Sequence, residues 1–427
     1  MNALLEFSVA NNRSINEECT FSMVGVGISD VPTDNIIKLG NNKVLKSAVI
    51  YGANSSGKSN IVKSLSRMKR IILTSVKLND DDELDYEPFL LSRESEKPSH
   101  FEVVFIHNKH KYRYGFQLNL KAITAEWLYR TTLAGKNETE LFYRELNRIE
   151  CDEKLFAEGL GKAEIINTNR LLISLCAQLG GKESKRVVSW FQQKVNVISG
   201  ITTDGYANYS KLMFHNQLSG CDKAKHFFGK LQLGFSDLEC IETEFDSSLL
   251  PDDMPQDMKE RLAKSLAGKK QIELYSLHNI YDAEGNVVKQ IPMDIDSIES
   301  EGTKKLIELS GPIFDTLDEG KVLVIDELDA KLHPHISHHI ISLFNNSETN
   351  HNGAQLIFTT HDTHLLSSRL FRRDQIWFTE KDRKEQTDLY NMMDIVLPDG
   401  SKPRNDANYE KNYIAGRYGA VPYIVND

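Results

Sequence analysis

The sequence predicts an α/β fold that combines a mixed sheet, an antiparallel β subdomain and a helical insertion. A glycine-rich loop, "YGANSSGKSN" at 51–60, separates a short apolar run from residues at helical spacing. Two later apolar runs, in "KVLVIDELDAKLHP" and "GAQLIFTTHD", each end in acidic or imidazole side chains. Residues 101–118 alternate apolar and polar as paired strands do, whereas much of 152–245 has the spacing of helices. These patterns indicate buried strands that carry polar residues at one edge of a sheet.

The glycine-rich loop matches the whole pattern G-x-x-x-x-G-K-[ST] of a phosphate-binding loop. Its glycines let main-chain N–H groups turn towards phosphate oxygens, while the lysine reaches the terminal phosphates and the hydroxyl ligates Mg²⁺. The apolar run at 48–50 predicts a strand before the loop, and the pattern at 61–72 predicts a helix after it, whose start favours an anion. The predicted nucleotide ligands are Gly52, Ala53, Asn54, Ser55, Ser56, Gly57, Lys58, Ser59 and Asn60, with Lys58 also catalytic and Ser59 also on the metal.

A pair of acids follows the predicted strand at 322–326. Asp326 is expected to hold Mg²⁺ through water, and Glu327 is expected to polarise the water that attacks the terminal phosphate. An in-line hydrolysis needs both a metal anchor and a residue that orients water. Acid pairs at strand ends are common, so the phosphate loop is what makes this pair informative.

A histidine follows the next predicted strand, at 355–359. Ligands of open α/β sheets gather at the carboxyl ends of the strands. We therefore interpret His361 as a residue that hydrogen-bonds the terminal phosphate, although a lone histidine is more often a structural residue.

A second histidine cluster, "HPHISHH" at 333–339, resembles a metal site because His335 and His339 are four residues apart. No glutamate lies between them, and Pro334 is well placed at the start of a helix. The sequence favours a solvent-facing helix start.

The composition is that of a globular chain without a membrane segment. Its 427 residues are 40% hydrophobic and 26% charged, and no apolar run approaches the roughly 18 residues of a membrane helix. The N-terminus has no basic-then-apolar signal, and the five cysteines form no C-x-x-C pair, so we expect reduced thiols in a cytoplasmic protein. The net charge of −10 disfavours broad binding to nucleic acid.

Three regions are predicted along the chain. Residues 1–150 form an N-terminal lobe with the phosphate loop, and residues 151–270 form a mainly helical insertion. Residues 271–427 form a C-terminal lobe with the acid pair and His361. Hairpins are expected at 101–118, around "AGKN" and around "AEGN", and "DSSLLPDDMPQD" is expected to be a loop.

The three polar elements resemble the ATP-binding-cassette class of P-loop ATPases, and within it the branch of SMC, RecF and OLD proteins. The segments "LDAKLHP" and "TTHD" correspond to the D-loop and switch histidine of that branch. The resemblance implies an ABC-type ATPase head that hydrolyses ATP with Mg²⁺. It also implies a head-to-head homo-oligomer that closes two nucleotides between two chains.

In such a pair each chain offers its partner a signature segment, and "SIESEGTKKLIEL" is the candidate here. Ser300, Gly302 and Thr303 would open a helix whose N-terminus suits a phosphate. An ordinary helix cap would have the same sequence. The transporter signature LSGGQ is absent, and an acidic loop, "NDDDELDYEPF", stands where a Q-loop glutamine is expected. We interpret that loop as solvated surface.

A narrower resemblance covers nearly the whole chain. The opening "LLEFSVANNRSINEECTFSMVG", the "SEGT" signature and the closing "YEKNYIAGRYGAVPYI" resemble a bacterial family of standalone ABC-type ATPases from phage-defence loci. That family includes the RloA and AbiL types and the ATPase of PARIS systems. Phe commonly precedes its Arg-Ser pair, whereas Asn12 precedes Arg13 here.

Two functions follow from these resemblances. The first is a sensor or regulator subunit of an anti-phage system of the abortive-infection type. Its ATPase cycle would answer a phage-derived trigger or DNA, and would control a separate Toprim- or RloB-like nuclease or toxin. The alternative is a RecF- or SMC-like repair ATPase that acts on DNA directly. A self-contained nuclease of the OLD type would need Toprim acids after the ATPase, and no D-x-D follows His361.

Overall fold

The computed structural model describes residues 2–92, 96–135, 137–202, 205–244, 254–266, 268 and 270–422. The chain forms two compact units, one made of Met1–Ile201 with Thr316–Asp427 and the other of Thr202–Asp315. Among the helices of the described residues, none is long and apolar enough to cross a membrane. The predicted loop at 246–257 lies mainly outside the described residues.

The elements are as follows in chain order. The strands are β1 (Ala3–Ala10), β2 (Cys19–Ser22), β3 (Ile36–Leu39), β4 (Asn42–Leu45), β5 (Ser47–Gly52), β6 (Ser99–His107), β7 (His110–Leu118), β8 (Ile123–Thr132), β9 (Thr139–Glu145), β10 (Arg148–Cys151), β11 (Val195–Ser199), β12 (Asp237–Glu244), β13 (Lys270–Tyr281), β14 (Val287–Asp294), β15 (Val322–Asp326), β16 (Gln355–Thr359), β17 (Ile376–Lys381) and β18 (Thr387–Asn391). The helices are α1 (Lys58–Thr74), α2 (Leu172–Gln178), α3 (Lys182–Gln193), α4 (Ala207–His215), α5 (Cys221–Leu231), α6 (Gln256–Leu266), α7 (Ile295–Ile298), α8 (Glu301–Glu319), α9 (Pro334–Asn345) and α10 (Tyr409–Ile414).

A six-stranded mixed sheet forms the centre of the first unit, in the order β11-β15-β16-β5-β17-β18. The strands from β11 to β17 in this order are parallel, and β18 returns antiparallel to β17. The strands predicted before the glycine loop, at 322–326 and at 355–359 are confirmed as β5, β15 and β16. Since parallel strands end at the same edge of a sheet, the fold brings the three polar elements together.

The helix predicted after the glycine loop is confirmed as α1. Its predicted apolar residues Ile61, Val62, Leu65, Met68 and Ile72 are all buried in the core of the first unit. They recur at the spacing of one helix face, and their burial fixes α1 against the sheet.

A buried asparagine ties the turn after β1 to α1. Asn12 has 0% of its surface exposed, and its Oδ1 accepts a hydrogen bond from Ser64 Oγ at 2.9 Å. Main-chain hydrogen bonds between Asn12 and Ile15 close the turn. A polar side chain is tolerated there because its oxygen is satisfied.

An antiparallel sheet of seven strands, in the order β10-β9-β8-β7-β6-β1-β2, completes the first unit. The hairpin predicted at 101–118 is confirmed as β6 and β7, with Asn108 and Lys109 at positive φ of 48° and 66°. Such a two-residue turn matches the twist of the strands it joins. The pair around "AGKN" is confirmed as β8 and β9. The predicted fold class, a mixed sheet with an antiparallel β subdomain, is therefore confirmed.

The second unit contains its own antiparallel sheet, in the order β12-β13-β14. The hairpin predicted around "AEGN" is confirmed as β13 and β14, and Asp282 closes its turn by a main-chain bond to Asn286 at 2.9 Å. Helix α5 covers the predicted segment "KAKHFFGKLQL" and packs Phe227 against Phe314 of α8, with ring centroids 5.5 Å apart.

The two units divide the chain at places other than the predicted boundaries of 150 and 270. Residues 172–199 were expected in the helical insertion, yet α2, α3 and β11 belong to the first unit. The reason is long-range pairing, since β11 forms the edge of the mixed sheet beside β15 and α3 packs Trp190 against Phe105 of β6, with ring centroids 4.1 Å apart. The hairpin β13–β14, expected in the C-terminal lobe, belongs to the second unit.

Candidate functional site

A cavity of about 510 Å³ lies where the glycine loop meets the ends of β15 and β16. Its lining consists of the consecutive residues 54–60 together with Glu327 and His361. Gly52 and Ala53 are not among the lining residues, and they contribute their carbonyl oxygens to the loop instead. Residues from three distant parts of the sequence thus share one concave surface.

Lys58 is held inside the loop by main-chain oxygens. Its side chain is buried, and Nζ donates hydrogen bonds to Gly52 O at 2.7 Å and to Ala53 O at 3.1 Å. Burial lowers the pKa of Lys58 to about 8, against the opposing pull of the nearby carboxylates Glu327 and Asp326. Among the described residues, the hydrogen-bond partners of this buried ammonium are main-chain carbonyl oxygens, so it is well suited to an incoming anion.

Ser59, which lines the cavity, is hydrogen-bonded to Asp326, the residue directly before Glu327. Ser59 Oγ donates a hydrogen bond to Asp326 Oδ1 at 3.0 Å. The same oxygen accepts a hydrogen bond from Thr359 Oγ1 at 2.8 Å. Thr359 did not emerge from the sequence as a site residue, although it stands two residues before His361 in "TTHD". It fixes the carboxylate of Asp326 in its orientation.

Glu327 has a backbone conformation that is uncommon for a residue with a side chain. Its φ is 60°, and its N–H donates a hydrogen bond to Thr359 Oγ1 at 2.7 Å. Gly200, at the end of β11, lies so close that a Cβ there would clash with the carbonyl oxygen of Glu327. Non-glycine residues at positive φ persist only where their surroundings hold them, often at functional sites. The backbone of Glu327 is therefore held between Thr359 and Gly200.

His361 lines the cavity together with the loop and Glu327. Burial, and next the positive charge of Lys58, lower the pKa of His361 below its ordinary value. The imidazole is consequently neutral near pH 7, with one ring nitrogen that donates and one that accepts.

Two threonines from the β17–β18 hairpin contact the phosphate loop, and sequence reasoning missed both. Thr379 Oγ1 lies 2.7 Å from Ser56 Oγ, and Thr387 Oγ1 donates to Ser56 O at 2.9 Å. Thr387 also packs so closely on Gly57 that a side chain at Gly57 would clash with it. No local signal marks these threonines, because their role depends on a strand pairing more than 300 residues away in sequence.

Two residues of the acidic loop at 79–89, which we interpreted as solvated surface, also form ion pairs. Asp85 and Glu87 both form ion pairs with Arg67, whose side chain is only 4% exposed. Glu87 also pairs with Arg13 at 2.7 Å, and Arg13 Nη1 donates to Asn60 Oδ1 at 3.3 Å. These acids neutralise a nearly buried arginine, while their own side chains stay 30% and 46% exposed.

The predicted signature residues lie in the second unit. Ser300 precedes α8, and its Oγ accepts a hydrogen bond from Thr303 N at 3.2 Å and lies 2.9 Å from Thr303 Oγ1. This is the geometry of a helix cap. Ser300 is exposed, while Gly302 and Thr303 are partly exposed in the first turn. A role of these three residues towards a partner's phosphate stays a prediction.

The histidine segment starts a helix as predicted. Pro334 is the first residue of α9, and His333 Nδ1 accepts a hydrogen bond from His335 N at 3.2 Å. The rings of His333 and His335 stack with centroids 5.3 Å apart. In the described structure, His333 caps the N-terminus of α9 and His335 lies in its first turn.

The cavity residues fit a nucleotide with a divalent cation. Gly57 stands before α1 at φ 110°, without a side-chain cap or an acidic residue in the first turn. Among the described residues, no acceptor is seen for the N–H groups of Gly57, Lys58 and Ser59. Such groups bind phosphate oxygens at a helix start. The oxygens of Ser59 and Asp326 are the hard donors that Mg²⁺ prefers.

Comparison with known proteins places this site in context. The family described as "AAA domain, putative AbiEii toxin, Type IV TA system" matches residues 47–161 and 242–367, which include all the cavity residues. No curated protein matches the chain in sequence.

Many solved structures are similar to the chain, and three of them are described here. The SMC head domain from Thermotoga maritima aligns at a TM-score of 0.38 and 11% identity, covering 91% of this chain and 98% of that chain. The SMC head bound to the C-winged helix domain of ScpA aligns at a TM-score of 0.35 and 13% identity, covering 91% of this chain and 97% of that chain. The recombination mediator protein RecF with ATPrS aligns at a TM-score of 0.36 and 13% identity, covering 91% of this chain and 98% of that chain.

Proposed function

The chain belongs to the AAA-domain family described as "putative AbiEii toxin, Type IV TA system", whose match covers more than half of it, and from this premise we propose an ATP-driven regulator. Its site would hydrolyse ATP with Mg²⁺, and the cycle would control a separate effector of an anti-phage system of the abortive-infection type. The observation that carries the ATPase assignment is the shared cavity of residues 54–60, Glu327 and His361.

Each cavity residue has a role in the proposed hydrolysis. The free N–H groups of the loop and the ammonium of Lys58 would hold the phosphates, and Glu327 would orient the attacking water and accept its proton. His361, neutral near pH 7, would donate a hydrogen bond to the terminal phosphate. Mg²⁺ bound at Ser59 and Asp326 would supply charge neutralisation for the phosphate oxygens.

We further propose that two chains close over two nucleotides, head to head. Ser300, Gly302 and Thr303 of one chain would contact the phosphate held by Lys58 of the other. The exposure of the Ser300 hydroxyl at the start of a 19-residue helix supports this role. Closure that depends on ATP would give the chain two states between which a partner can discriminate.

The effector is proposed to be a separate nuclease or toxin of the Toprim or RloB type, in the cytoplasm. The family description names a toxin and a toxin–antitoxin system, which supports a link to a toxic effector. The net charge of −10 favours a protein partner over direct binding to DNA. A phage-derived trigger or DNA would set the state of the ATPase.

Co-expression with the product of the neighbouring gene tests this proposal. We expect the two proteins to form a complex in the presence of ATP and Mg²⁺. We expect the amount of complex recovered with Lys58→Ala or Glu327→Gln to differ from the amount recovered with the wild-type chain. Lys63→Ala, on the exposed face of the same helix, and Glu348→Gln, an exposed acid, are the matched controls and should behave as wild type.

The outcomes separate the parts of the proposal. A chain that binds ATP with Mg²⁺ but never hydrolyses it would contradict the ATPase assignment. ATP hydrolysis that is stimulated by DNA alone, with no complex formed, would favour the DNA-repair alternative over the regulator.

A further inference from the structure

The C-terminal segment 408–420, here called the tail, folds into a closed loop on the first unit. Tyr413 OH donates to Ala420 O at 3.0 Å, and Asn412 Nδ2 donates to Tyr418 OH at 3.0 Å. Gly416 and Gly419 adopt positive φ of 72° and 69°, which lets the chain turn back so tightly. The sequence did not reveal a role for this block. Its internal bonds make it an ordered element.

The tail packs against the strand that leads into the phosphate loop. The ring of Tyr413 lies 5.6 Å from Tyr51 of β5 and 5.6 Å from Phe378 of β17, measured between centroids. Tyr51 is buried, and it is the residue directly before Gly52. Aromatic pairs at these centroid separations stabilise the packing of the tail on the two strands.

Two hydrogen bonds connect this assembly to residues 361–365, here called the switch segment. Tyr51 OH donates to Asp362 O at 3.0 Å. Thr363 Oγ1 donates to Glu410 Oε1 of the tail at 3.2 Å. His361, which lines the cavity, precedes these anchored residues directly. The anchors therefore restrict where its ring can lie.

The same assembly also contacts the phosphate loop. Phe378 is followed by Thr379, whose hydroxyl contacts Ser56 of the loop at 2.7 Å. Tyr390 OH donates to Tyr418 O at 2.9 Å, so the tail is also fastened to β18. One cluster thus contacts both the phosphate loop and the switch segment.

We propose that Tyr51 and the tail residue Glu410 are positioning residues, which hold the switch segment so that His361 meets the terminal phosphate. This inference rests on the proposed ATPase function. A displacement of a catalytic group by about 1 Å is enough to slow a reaction up to a hundredfold. The tail, through Glu410, is then a control point for hydrolysis that is separate from nucleotide binding.

Removal of the hydroxyl alone tests the role of Tyr51. Tyr51→Phe keeps the ring packing, and we expect kcat for ATP to fall about tenfold with little change in KM or in nucleotide affinity. Thr363→Val, which keeps the shape of the side chain, should have a similar effect. Tyr129→Phe is the matched control, since Tyr129 OH also donates a hydrogen bond, to Glu140 Oε2 at 2.8 Å, but lies on the antiparallel sheet.

The conservative variant at position 410 provides a rescue. Glu410→Ala removes the acceptor of the Thr363 hydroxyl and should lower kcat, whereas Glu410→Gln keeps an acceptor oxygen and should retain it. Equal losses in both variants would overturn the role of this hydrogen bond.

A double-mutant cycle separates positioning from general damage. In a His361→Ala background, Tyr51→Phe should cause no further loss of kcat, because the residue it positions is gone. The same fold loss in both backgrounds would overturn the proposal. If the wild-type chain hydrolyses ATP and Tyr51→Phe and Thr363→Val match it, this inference fails while the ATPase function stands. A wild-type chain without ATPase activity would remove the proposed function itself.

Discussion

The hydroxyl of Ser59 donates a hydrogen bond to Asp326 Oδ1 at 3.0 Å, although 267 positions separate the two residues in the sequence. Thr359 donates to the same carboxylate oxygen at 2.8 Å. The geometry joins the first turn of α1 to the end of β15. In the proposed function these two oxygen atoms would hold Mg²⁺, which prefers hard oxygen ligands.

The first prediction concerns this pair. Asp326→Asn replaces a carboxylate with a neutral amide of the same shape, and Ser59→Ala removes the hydroxyl. Both should raise the Mg²⁺ concentration needed for half-maximal ATP hydrolysis about tenfold or more, because a hard cation favours charged oxygen donors. The measurement is a Mg²⁺ titration of ATPase rate at saturating ATP, with Asp388→Asn, an exposed acid on β18, as control. An unchanged Mg²⁺ dependence in Asp326→Asn would remove this residue from the metal site.

The second prediction concerns Glu327. Glu327→Gln keeps the size of the side chain but removes the base, so turnover should fall about 100-fold or more while ATP binding persists. The variant should accumulate as an ATP-bound dimer, seen by size-exclusion chromatography with light scattering. Lys58→Ala should instead lose nucleotide binding. Wild-type turnover in Glu327→Gln would show that the acid pair has been misassigned.

The third prediction is a pH dependence of ATP binding. Burial lowers the pKa of Lys58 to about 8, so the free protein loses this positive charge as the pH rises through that value. Bound phosphates favour the charged form, hence affinity should be greatest below pH 8 and fall about tenfold between pH 7 and pH 9. Calorimetry with a non-hydrolysable ATP analogue measures this. Lys58→Arg stays charged throughout, so its affinity should not depend on pH in this range.

The fourth prediction concerns composite sites. Ser300→Asp keeps a helix-capping oxygen but adds a negative charge, which would repel a partner's phosphate, whereas Ser300→Asn caps without charge. Ser300→Asp alone and Lys58→Ala alone should be nearly inactive. An equimolar mixture should recover part of the ATPase rate. In each mixed pair, one of the two sites combines an intact Lys58 from one chain with an intact Ser300 from the other. Folded, associating chains that never complement each other would contradict head-to-head catalysis.

The fifth prediction concerns stability rather than chemistry. Arg144 and Glu126 form a pair at 3.5 Å in which both side chains are 0% exposed, and Glu126 also accepts the N–H groups of Leu172 and Ile173 at the start of α2. Glu126→Ala should destabilise the first unit by about 3–5 kcal/mol, because it leaves Arg144 buried without its carboxylate. Urea unfolding followed by tryptophan fluorescence measures the change. Glu150→Ala, which breaks the exposed Arg148 pair, should change stability by less than about 1 kcal/mol.

Much of the site could be predicted from local sequence. The phosphate loop, the strand ending in Asp326 and the strand before His361 each lie within about ten residues, and their order along the chain implies a shared sheet edge. Apolar spacing predicted α1 and the β6–β7 hairpin correctly for the same reason. In each of these cases the causes are short-range, namely glycine conformation, side-chain periodicity and turn geometry.

Other features were decided only by tertiary structure. Nothing near β11 in the sequence shows that it joins the edge of the mixed sheet, so the predicted insertion began too early. The partners of Arg67 in the acidic loop, and the packing of Tyr413 on Tyr51, likewise depend on residues far apart in the chain. The sequence by itself therefore determined which chemical groups the site contains and the strands that bear them. The tertiary structure decided which side chains hold those groups in place, because orientation arises from contacts between segments that local spacing does not encode.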